Sequence, residues 1–440
     1  MGKRPRSAIA TAVPSAHAPA RGPKMAGHLA ALTADGGIPL LTRKIGDVKP
    51  LPFASVGTLN GVHLFSHLRG ASLHSTTTKG AKAVWRSYHD SVVLLVVTNN
   101  DNSSDEHLNR LLDNVFAAMV MAVGLETLQT IHNVDRLKRE LRVCYPVVDH
   151  LLCQLDQDAC TLGDLTGVTD FILCTESQAL QHYLDTFVEE VDSLYGCLLV
   201  RGKVAVATKQ WMRLTREETT LLAVAARAGT RCISRETPVY LPTSCPLVSN
   251  RLVTLQLTQG VELCLLCGPA PSLPVLEEEV CRFWNEAFDL LKSASSVHPR
   301  NFPLCSTSDK KTVTFLLVNI KKQRSLTSVH PVEDEIGRTR DGKCVSLRKR
   351  QEMLRALYKL VSSTYFTTTD DAQGAAPNAG SSSHQATEVY MCTETHKNYA
   401  LRNNDYQLYI LFSSSIPTFA MRSVSHKTLK ALTTNKVCVL

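Results

Sequence analysis

A pattern of strands and helices that occurs three times along the chain is the feature that most constrains its fold. In the first third, apolar runs at 28–33 and 38–42 are joined by Ala34-Asp35-Gly36-Gly37, a sequence typical of a β-hairpin. Apolar residues at helical or alternating spacing then predict one helix and three strands, at 53–67, 73–77, 83–88 and 91–98. Ser103-Ser104-Asp105-Glu106 is typical of a capped helix start, and a further helix is predicted over 134–152.

The middle and last thirds repeat this order. In the middle third, Arg201-Gly202 forms the turn of a predicted hairpin, and Gly260 joins two later strands. The elements predicted in the middle third are at 178–191, 195–209, 217–227, 238–241, 251–259, 261–268 and 276–291. Those predicted in the last third are at 312–320, 325–330, 347–365, 388–394, 399–403, 406–412 and 419–432.

Each repeat has the order strand, strand, helix, three strands, helix, which predicts an antiparallel sheet with helices on its faces. The fold class is therefore α+β. The predicted organisation is a disordered basic extension, three domains and a flexible Gly/Ser/Ala-rich loop within the third domain. Their boundaries are 1–24 for the extension, 25–158, 159–298 and 299–440 for the domains, and 370–386 for the loop.

The composition is that of a globular protein, with 44% hydrophobic and 20% charged residues. No uninterrupted apolar run reaches the length that spans a bilayer, so we expect no integral membrane protein. The 14 cysteines are scattered and often lie in apolar stretches, which predicts reduced core thiols in a cytosolic protein. Of the net charge of +8, most lies in residues 1–24, with five Lys and Arg and no acid, and in 300–440, with 20 against 11 acids.

Three motifs suggest chemistry and are rejected on their surroundings. Gly337 to Lys343 spells G-x-x-x-x-G-K, but Cys344 replaces the hydroxyl residue and no buried strand precedes it, so a polar loop is predicted. Cys264 and Cys267 have metal-site spacing, yet strand alternation points them to opposite faces, which favours core packing. Tyr88-His89-Asp90 is interpreted as a turn at a strand end.

Two sets of side chains stay open between structural and binding roles. His63 and His67 share one side of a helix, but without a third ligand they are better interpreted as surface or partner-facing residues. Trp85, Trp211 and Trp284 are either interface anchors or core residues. The residues alone thus predict a three-part α+β protein with no catalytic centre, metal site or cofactor.

Several long stretches resemble the Fuzzy family of planar cell polarity effectors, also called ciliogenesis and planar polarity effectors. Residues 52–65, 84–97 and 116–141 resemble its first domain, and residues 237–242 and 261–274 its middle domain. The resemblance implies three longin domains, each a five-stranded antiparallel sheet flanked by helices. It also implies partnership with Inturned and Wdpcp, and activity with Inturned as an exchange factor for a Rab-type GTPase. The implied role is in cilium assembly, at the basal body in the cytoplasm and cytoskeleton.

We expect the partner and GTPase surface on helix 53–69 and strands 71–88, because these elements flank a free sheet edge. The candidate contacts mix polar and aromatic character and are Asn60, His63, His67, Arg69, Trp85 and Arg86. The alternative is a scaffold or trafficking adaptor that recruits intraflagellar transport components or an anionic, phosphoinositide-containing membrane through the basic third domain. Its candidate contacts are Lys321, Lys322, Arg324, Arg348, Lys349 and Arg350. Nucleic acid is disfavoured because no aromatic residues are interleaved with these charges.

Overall fold

The computed structural model describes residues 9–11, 26–99, 103–155, 168–228, 232–303, 311–329, 345–366, 386–403 and 405–434. The chain divides into two compact units. The large unit comprises Gly22–Thr169 and Glu176–Ser296, and the small unit comprises Met1–Arg21, Asp170–Thr175 and Val297–Leu440.

The first part of the large unit is a five-stranded antiparallel sheet with the strand order β2-β1-β5-β4-β3. Its strands are β1 (Gly27–Thr33), β2 (Pro39–Ile45), β3 (Ser75–Thr78), β4 (Ala81–Tyr88) and β5 (Val92–Thr98). The helices are α1 (Phe53–Leu68), α2 (Asp105–Val123), α3 (Leu125–Gln129), α4 (Val134–Glu140) and α5 (Tyr145–Leu152). The predicted hairpin, helix and three strands are confirmed, and so is the capped start of α2, where the Ser104 Oγ accepts from the His107 N–H at 3.3 Å.

The second part of the large unit repeats the architecture, with the strand order β7-β6-β10-β9-β8. The strands are β6 (Tyr195–Val200), β7 (Lys203–Ala207), β8 (Ser234–Leu241), β9 (Cys245–Thr258) and β10 (Val261–Cys267). The helices are α6 (Ser177–Glu190), α7 (Arg216–Ala228), α8 (Leu273–Trp284) and α9 (Phe288–Ser296).

One detail of this part differs from the prediction, and another agrees with it. The single helix predicted over 276–291 is wrong: α8 ends at Trp284, and tight i→i−3 bonds separate it from α9, with the Ala287 N–H donating to the Trp284 carbonyl at 3.2 Å. Cys264 and Cys197 face each other on β10 and β6, and both are buried. Burial raises the pKa of the Cys264 thiol to about 12, as expected of a core thiol.

The small unit contains the third sheet, with the strand order β12-β11-β15-β14-β13. Its strands are β11 (Thr312–Asn319), β12 (Arg324–Val329), β13 (Glu388–Cys392), β14 (His396–Asn403) and β15 (Tyr406–Ser413). Its helices are α10 (Leu347–Thr364) and α11 (Thr418–Thr434). All three sheets therefore have one strand order, which confirms the triplication predicted from the sequence.

Two short strands complete the description. Ile9–Thr11 runs parallel to β13, with Ile9 opposite Glu388, and Thr169–Phe171 lies where the chain passes between the units. The rest of the predicted extension 1–24, the loop 370–385 and the segment Gly337 to Cys344 lie outside the described residues. Among the described helices, none is long and apolar enough to cross a membrane.

Candidate partner-binding site

Helix α1 has no Asp, Glu, Lys or Arg in its 16 residues. It begins after Pro52, whose extended backbone cannot continue a helix toward the N-terminus. It ends at Leu68, and Gly70 follows the cap residue with a φ of +73°. The Ala71 N–H donates to the Ser66 carbonyl at 3.0 Å, and the Gly70 N–H donates to the His67 carbonyl at 3.0 Å. This pair of bonds is the Schellman arrangement, and it fixes the end of a helix that lacks charged surface residues.

The inner side of α1 packs on the first sheet. Val56 lies against Ala30 and Leu32, and Leu59 lies against the cluster of Trp85 and its neighbours. Asn60 is buried over the hairpin turn at Gly37, where a Cβ atom would come within 2.1 Å of the Asn60 Nδ2. The helix thus buries only a narrow stripe.

The opposite side of α1 is apolar and faces solvent. We define the α1 outer face as Gly57, Gly61, Val62, Phe65 and Leu68, which share one side of the helix. Phe65 and Leu68 are 60% and 83% exposed, and nothing lies within 4 Å of a Cβ built on either glycine. An uncharged apolar face of this kind on a surface helix is a candidate site for macromolecular contact.

The two margins of the first sheet differ. The margin formed by β2 is covered by α5, because the Arg43 guanidinium donates to both Asp149 carboxylate oxygens and lies 4.7 Å from the Tyr145 ring centre. On the other margin, β3 pairs with β4 only as far as Val84, and the Trp85 N–H donates to the His74 carbonyl at 2.9 Å. Beyond that bond no described strand pairs with the outer side of β4, so residues 86–88 form an open margin next to α1.

A cavity of about 780 Å³ lies between the C-terminal half of α1, residues 71–74 and β4. His63, His67, Trp85 and Arg86 all line it. The Nδ1 of His63 and the Nε1 of Trp85 are buried and have no hydrogen-bond partner. Within the described part of the chain, no group of three or more His, Cys, Asp or Glu residues could hold a metal ion.

Burial sets the electrostatics of the cavity walls. Burial, and secondarily the neighbouring His67, lowers the pKa of His63, which favours a neutral imidazole. Arg86 forms an ion pair with Asp113 on α2 at 3.0 Å, and the Tyr88 hydroxyl donates to the same carboxylate at 2.8 Å. Burial raises the pKa of Asp113 even though these two partners favour its charged form.

The predicted partner contacts divide into two groups. His67, Arg69 and Arg86 are exposed, and the Arg69 guanidinium lies 5.3 Å from the centre of the Phe65 ring. Asn60, His63 and Trp85 are buried, so we revise their predicted role from direct surface contacts to packing and cavity-lining residues. Sequence reasoning missed the α1 outer face, although the absence of charge from residues 53–68 was a readable signal.

The predicted anionic-lipid contacts do not form one exposed cluster. Arg350 is 1% exposed, which corrects its prediction as a surface contact. Arg324 lies 5.0 Å from the Phe171 ring centre, and burial lowers the pKa of its guanidinium. Lys349 forms an ion pair with Glu352 at 2.8 Å, and Arg348 lies 3.8 Å from the same carboxylate. Lys321 and Lys322 are exposed in the turn between β11 and β12.

Comparison with known proteins gives consistent matches along the chain. Three family models, described as the first, second and third longin domains of FUZ, MON1 and HPS1, match residues 28–151, 191–285 and 311–436. The curated protein fuzzy homolog of Xenopus tropicalis is 39% identical over 413 residues, covering 92% of this chain and 97% of that protein. The protein fuzzy homologs of Homo sapiens and Mus musculus are 35% and 34% identical, and cover 92% and 94% of this chain and 97% and 98% of their own lengths.

Proposed function

Since the chain belongs to the Fuzzy family of three-longin proteins, we propose that it is a non-catalytic subunit that pairs with Inturned. The pair forms an exchange factor and recruitment platform for a Rab-type GTPase. Together with Wdpcp it acts in planar cell polarity and cilium assembly at the basal body, within the cytoplasm and cytoskeleton. The support for these partners and this location is the resemblance to the Fuzzy family.

The observation that carries the proposal is the exposed, uncharged α1 outer face beside an open sheet margin. A second longin domain can complete the margin with a strand and lay a helix against α1. Gly57 and Gly61 let the backbone of such a helix approach closely, and Phe65 and Leu68 supply the large apolar contacts.

Nucleotide exchange fits a surface of this type. Exchange requires contacts that bind the nucleotide-free GTPase more tightly than the loaded one, and no covalent step. A combined surface from two longin domains can supply that difference in affinity.

The pairing is tested by co-expression with Inturned and size-exclusion chromatography. We expect wild type to co-elute with Inturned and the double variant Phe65→Asp/Leu68→Asp to elute alone. Leu247→Asp/Val248→Asp is the matched control, because these apolar residues on β9 are 66% and 61% exposed but lie in the second domain. Co-elution of the α1 variant at wild-type level would reject the placement.

Exchange is tested separately from pairing. Release of fluorescent GDP from Rab-type GTPases is measured with the purified pair and with each subunit alone. We expect release by the pair only, and release by Inturned alone at the same rate would favour the scaffold alternative.

A second candidate function, contact with an anionic membrane, is favoured by helix α11. Its exposed side carries Arg422, Lys427 and Lys430, the helix contains no acid, and Phe419 near its start is 87% exposed. A cationic helix surface with one exposed aromatic ring is typical of contact with lipid headgroups. In liposome flotation, Lys427→Glu/Lys430→Glu should reduce binding to anionic vesicles, with Lys321→Glu/Lys322→Glu as the control. An equal loss of vesicle binding in both variants would indicate that the net charge alone drives binding, without a specific site on α11.

A further inference from the structure

Four residues of α1 form a row that is symmetric about its own midpoint. Phe53, Gly57, Gly61 and Phe65 follow one another at intervals of four residues, so they lie along one ridge of the helix surface. The rings of Phe53 and Phe65 are 76% and 60% exposed, and a Cβ atom built on either glycine would meet nothing within 4 Å. The row is therefore a shallow saddle of two glycines between two exposed rings.

A second copy of α1 is complementary to this row. When two copies cross antiparallel about a two-fold axis between positions 57 and 61, Phe53 of one copy lies opposite Phe65 of the other, and Gly57 lies opposite Gly61. The glycines let the two backbones approach closely, while the rings pack against each other at both ends of the contact. A two-fold contact requires a surface that is complementary to itself, and the symmetric row meets that requirement.

The charge distribution of the helix also favours a second copy in this orientation. The chain carries a net charge of +8, which opposes self-association, but residues 53–68 contain no Asp, Glu, Lys or Arg. Two copies that meet along the row therefore bring no like charges together. The first turn of α1 has no acid and the last turn has no Lys or Arg, so its dipole is not compensated by charged side chains. An antiparallel neighbour compensates it, whereas a parallel one would place like ends together.

The size of the contact predicts a weak and reversible dimer. An aromatic side chain buries about 150–250 Å², so four rings at 60–76% exposure contribute roughly 400–700 Å². Val62 and Leu68 lie beside the row and add to this area, because they are 45% and 83% exposed. The total is then on the order of 1,000 Å², which is the lower end for a specific interface and is typical of transient association.

We propose that the free chain associates with a second copy of itself through Phe53 and the α1 outer face, in an antiparallel two-fold dimer centred between Gly57 and Gly61. The dimer covers apolar surface that the free chain otherwise exposes to solvent. The inference concerns the chain alone, so it does not depend on Inturned or on a GTPase. A longin partner that also pairs with the open margin of β4 would displace the second copy, because it adds backbone hydrogen bonds to the helix contact.

Sedimentation velocity of the full chain tests the association. We expect the sedimentation coefficient to rise from that of a monomer to that of a dimer between about 1 and 100 µM, with a Kd on the order of 10 µM. Phe53→Lys and Phe65→Glu should each weaken the dimer at least tenfold. Both side chains are exposed, so thermal unfolding should show that the variants keep the fold. The matched control is Leu247→Asp/Val248→Asp, which should dimerise as wild type does.

The two substitutions together test the orientation. In the antiparallel dimer, the lysine introduced at position 53 of one copy faces the glutamate introduced at position 65 of the other. Phe53→Lys/Phe65→Glu should therefore dimerise severalfold more tightly than either single variant. In a parallel dimer like charges would meet, so a double variant weaker than both single variants contradicts the proposed arrangement.

The remaining outcomes separate this inference from the proposed function. A chain that stays monomeric over the whole concentration range overturns the inference and leaves pairing with Inturned intact. A dimer that forms with wild-type affinity in folded Phe53→Lys and Phe65→Glu variants uses another surface and overturns it as well.

Discussion

Helices α1 and α2 flank the same sheet, but they differ in how much of their apolar surface is buried. α2 buries 11 residues, because the second domain, through β8 and α7, covers the side that the sheet does not. Gly124, directly after α2, lies so close to the Tyr240 ring that a Cβ atom would be 3.2 Å from it. α1 buries three residues and leaves its outer face exposed. A helix with apolar residues on two sides is fully buried only when a neighbour packs on each side. Among the described residues, only the first sheet packs on α1.

The largest expected difference between the two helices is in stability. Leu112 on α2 is fully buried, so Leu112→Ala should lower the free energy of unfolding by about 2–5 kcal/mol. Leu68→Ala on α1 should change it by no more than about 0.5 kcal/mol, because that side chain is 83% exposed. Urea denaturation of both variants measures the difference. An equal loss for Leu68→Ala would contradict the difference between the two helices, since the α1 outer face would then be covered in the free chain.

The packing of β8 and α7 on α2 depends on the buried carboxylate of Glu218. Glu218 is 0% exposed and accepts from the backbone N–H groups of Thr215, Thr243 and Ser244, at 3.0, 2.9 and 2.7 Å, and from the Ser244 hydroxyl at 2.7 Å. It thereby fixes the turn between β8 and β9 to the start of α7. Glu218→Gln should lower the free energy of unfolding by about 2 kcal/mol at pH 7.

The same carboxylate predicts a pH dependence. Burial alone would raise the pKa of Glu218, but the hydrogen bonds from Ser244, Thr215 and Thr243 lower it below its ordinary value. The unfolded chain therefore binds this proton more readily, so the stabilisation is present above about pH 4.3 and is lost as the pH falls through the folded-state pKa. In urea titrations, the difference in free energy of unfolding between wild type and Glu218→Gln should become smaller below that pH. A difference that is constant from pH 7 to pH 3 would contradict the assignment.

The margin of the first sheet that α5 covers should matter for stability and not for pairing. Arg43→Ala removes the bidentate pair with Asp149 and the contact with Tyr145, and should lower the free energy of unfolding by about 1 kcal/mol, since both side chains are partly solvent-exposed. Hydrogen exchange of β2 amides should become faster, while pairing with the partner should be unchanged. Weakened pairing would indicate that β2 is the margin that the partner uses.

The smallest expected effect is that of Gly61→Ala, which should stabilise the free chain and destabilise the complex. Gly61→Ala should stabilise the free chain by about 0.5 kcal/mol, because alanine favours a helix and its Cβ meets open space. The same methyl group should weaken pairing if a partner helix approaches the α1 outer face closely. Thermal unfolding and titration with the partner measure the two quantities. Stronger pairing would contradict close helix packing.

Local rules explain why most of the fold could be predicted. The turn Arg201-Gly202 was identifiable because a glycine separates two short apolar runs, and in the structure both residues have positive φ, +52° and +75°, as a type I′ hairpin turn requires. The strand–helix order was likewise contained in the hydrophobic periodicity, and the common strand order of the three sheets followed from repeating it.

What could not be predicted depends on contacts between distant residues. Arg350 looked like a surface cation because its neighbours Arg348 and Lys349 are cationic, yet it is buried and donates to the Val345 carbonyl at 2.9 Å. Trp85 and Arg86 were predicted as joint contacts, but adjacent strand residues face opposite sides, so Trp85 packs below α1 and Arg86 reaches Asp113 on α2. The sequence could not show which side of α1 would lie uncovered.

The proposed docking of a second longin chain on α1 and the margin beside it can be measured by hydrogen–deuterium exchange of the free chain and of its complex with Inturned. We expect slower exchange in the complex for peptides within 53–70 and 75–88, with α2 peptides unchanged. A stable complex in which those peptides exchange as in the free chain, and protection lies elsewhere, would contradict it.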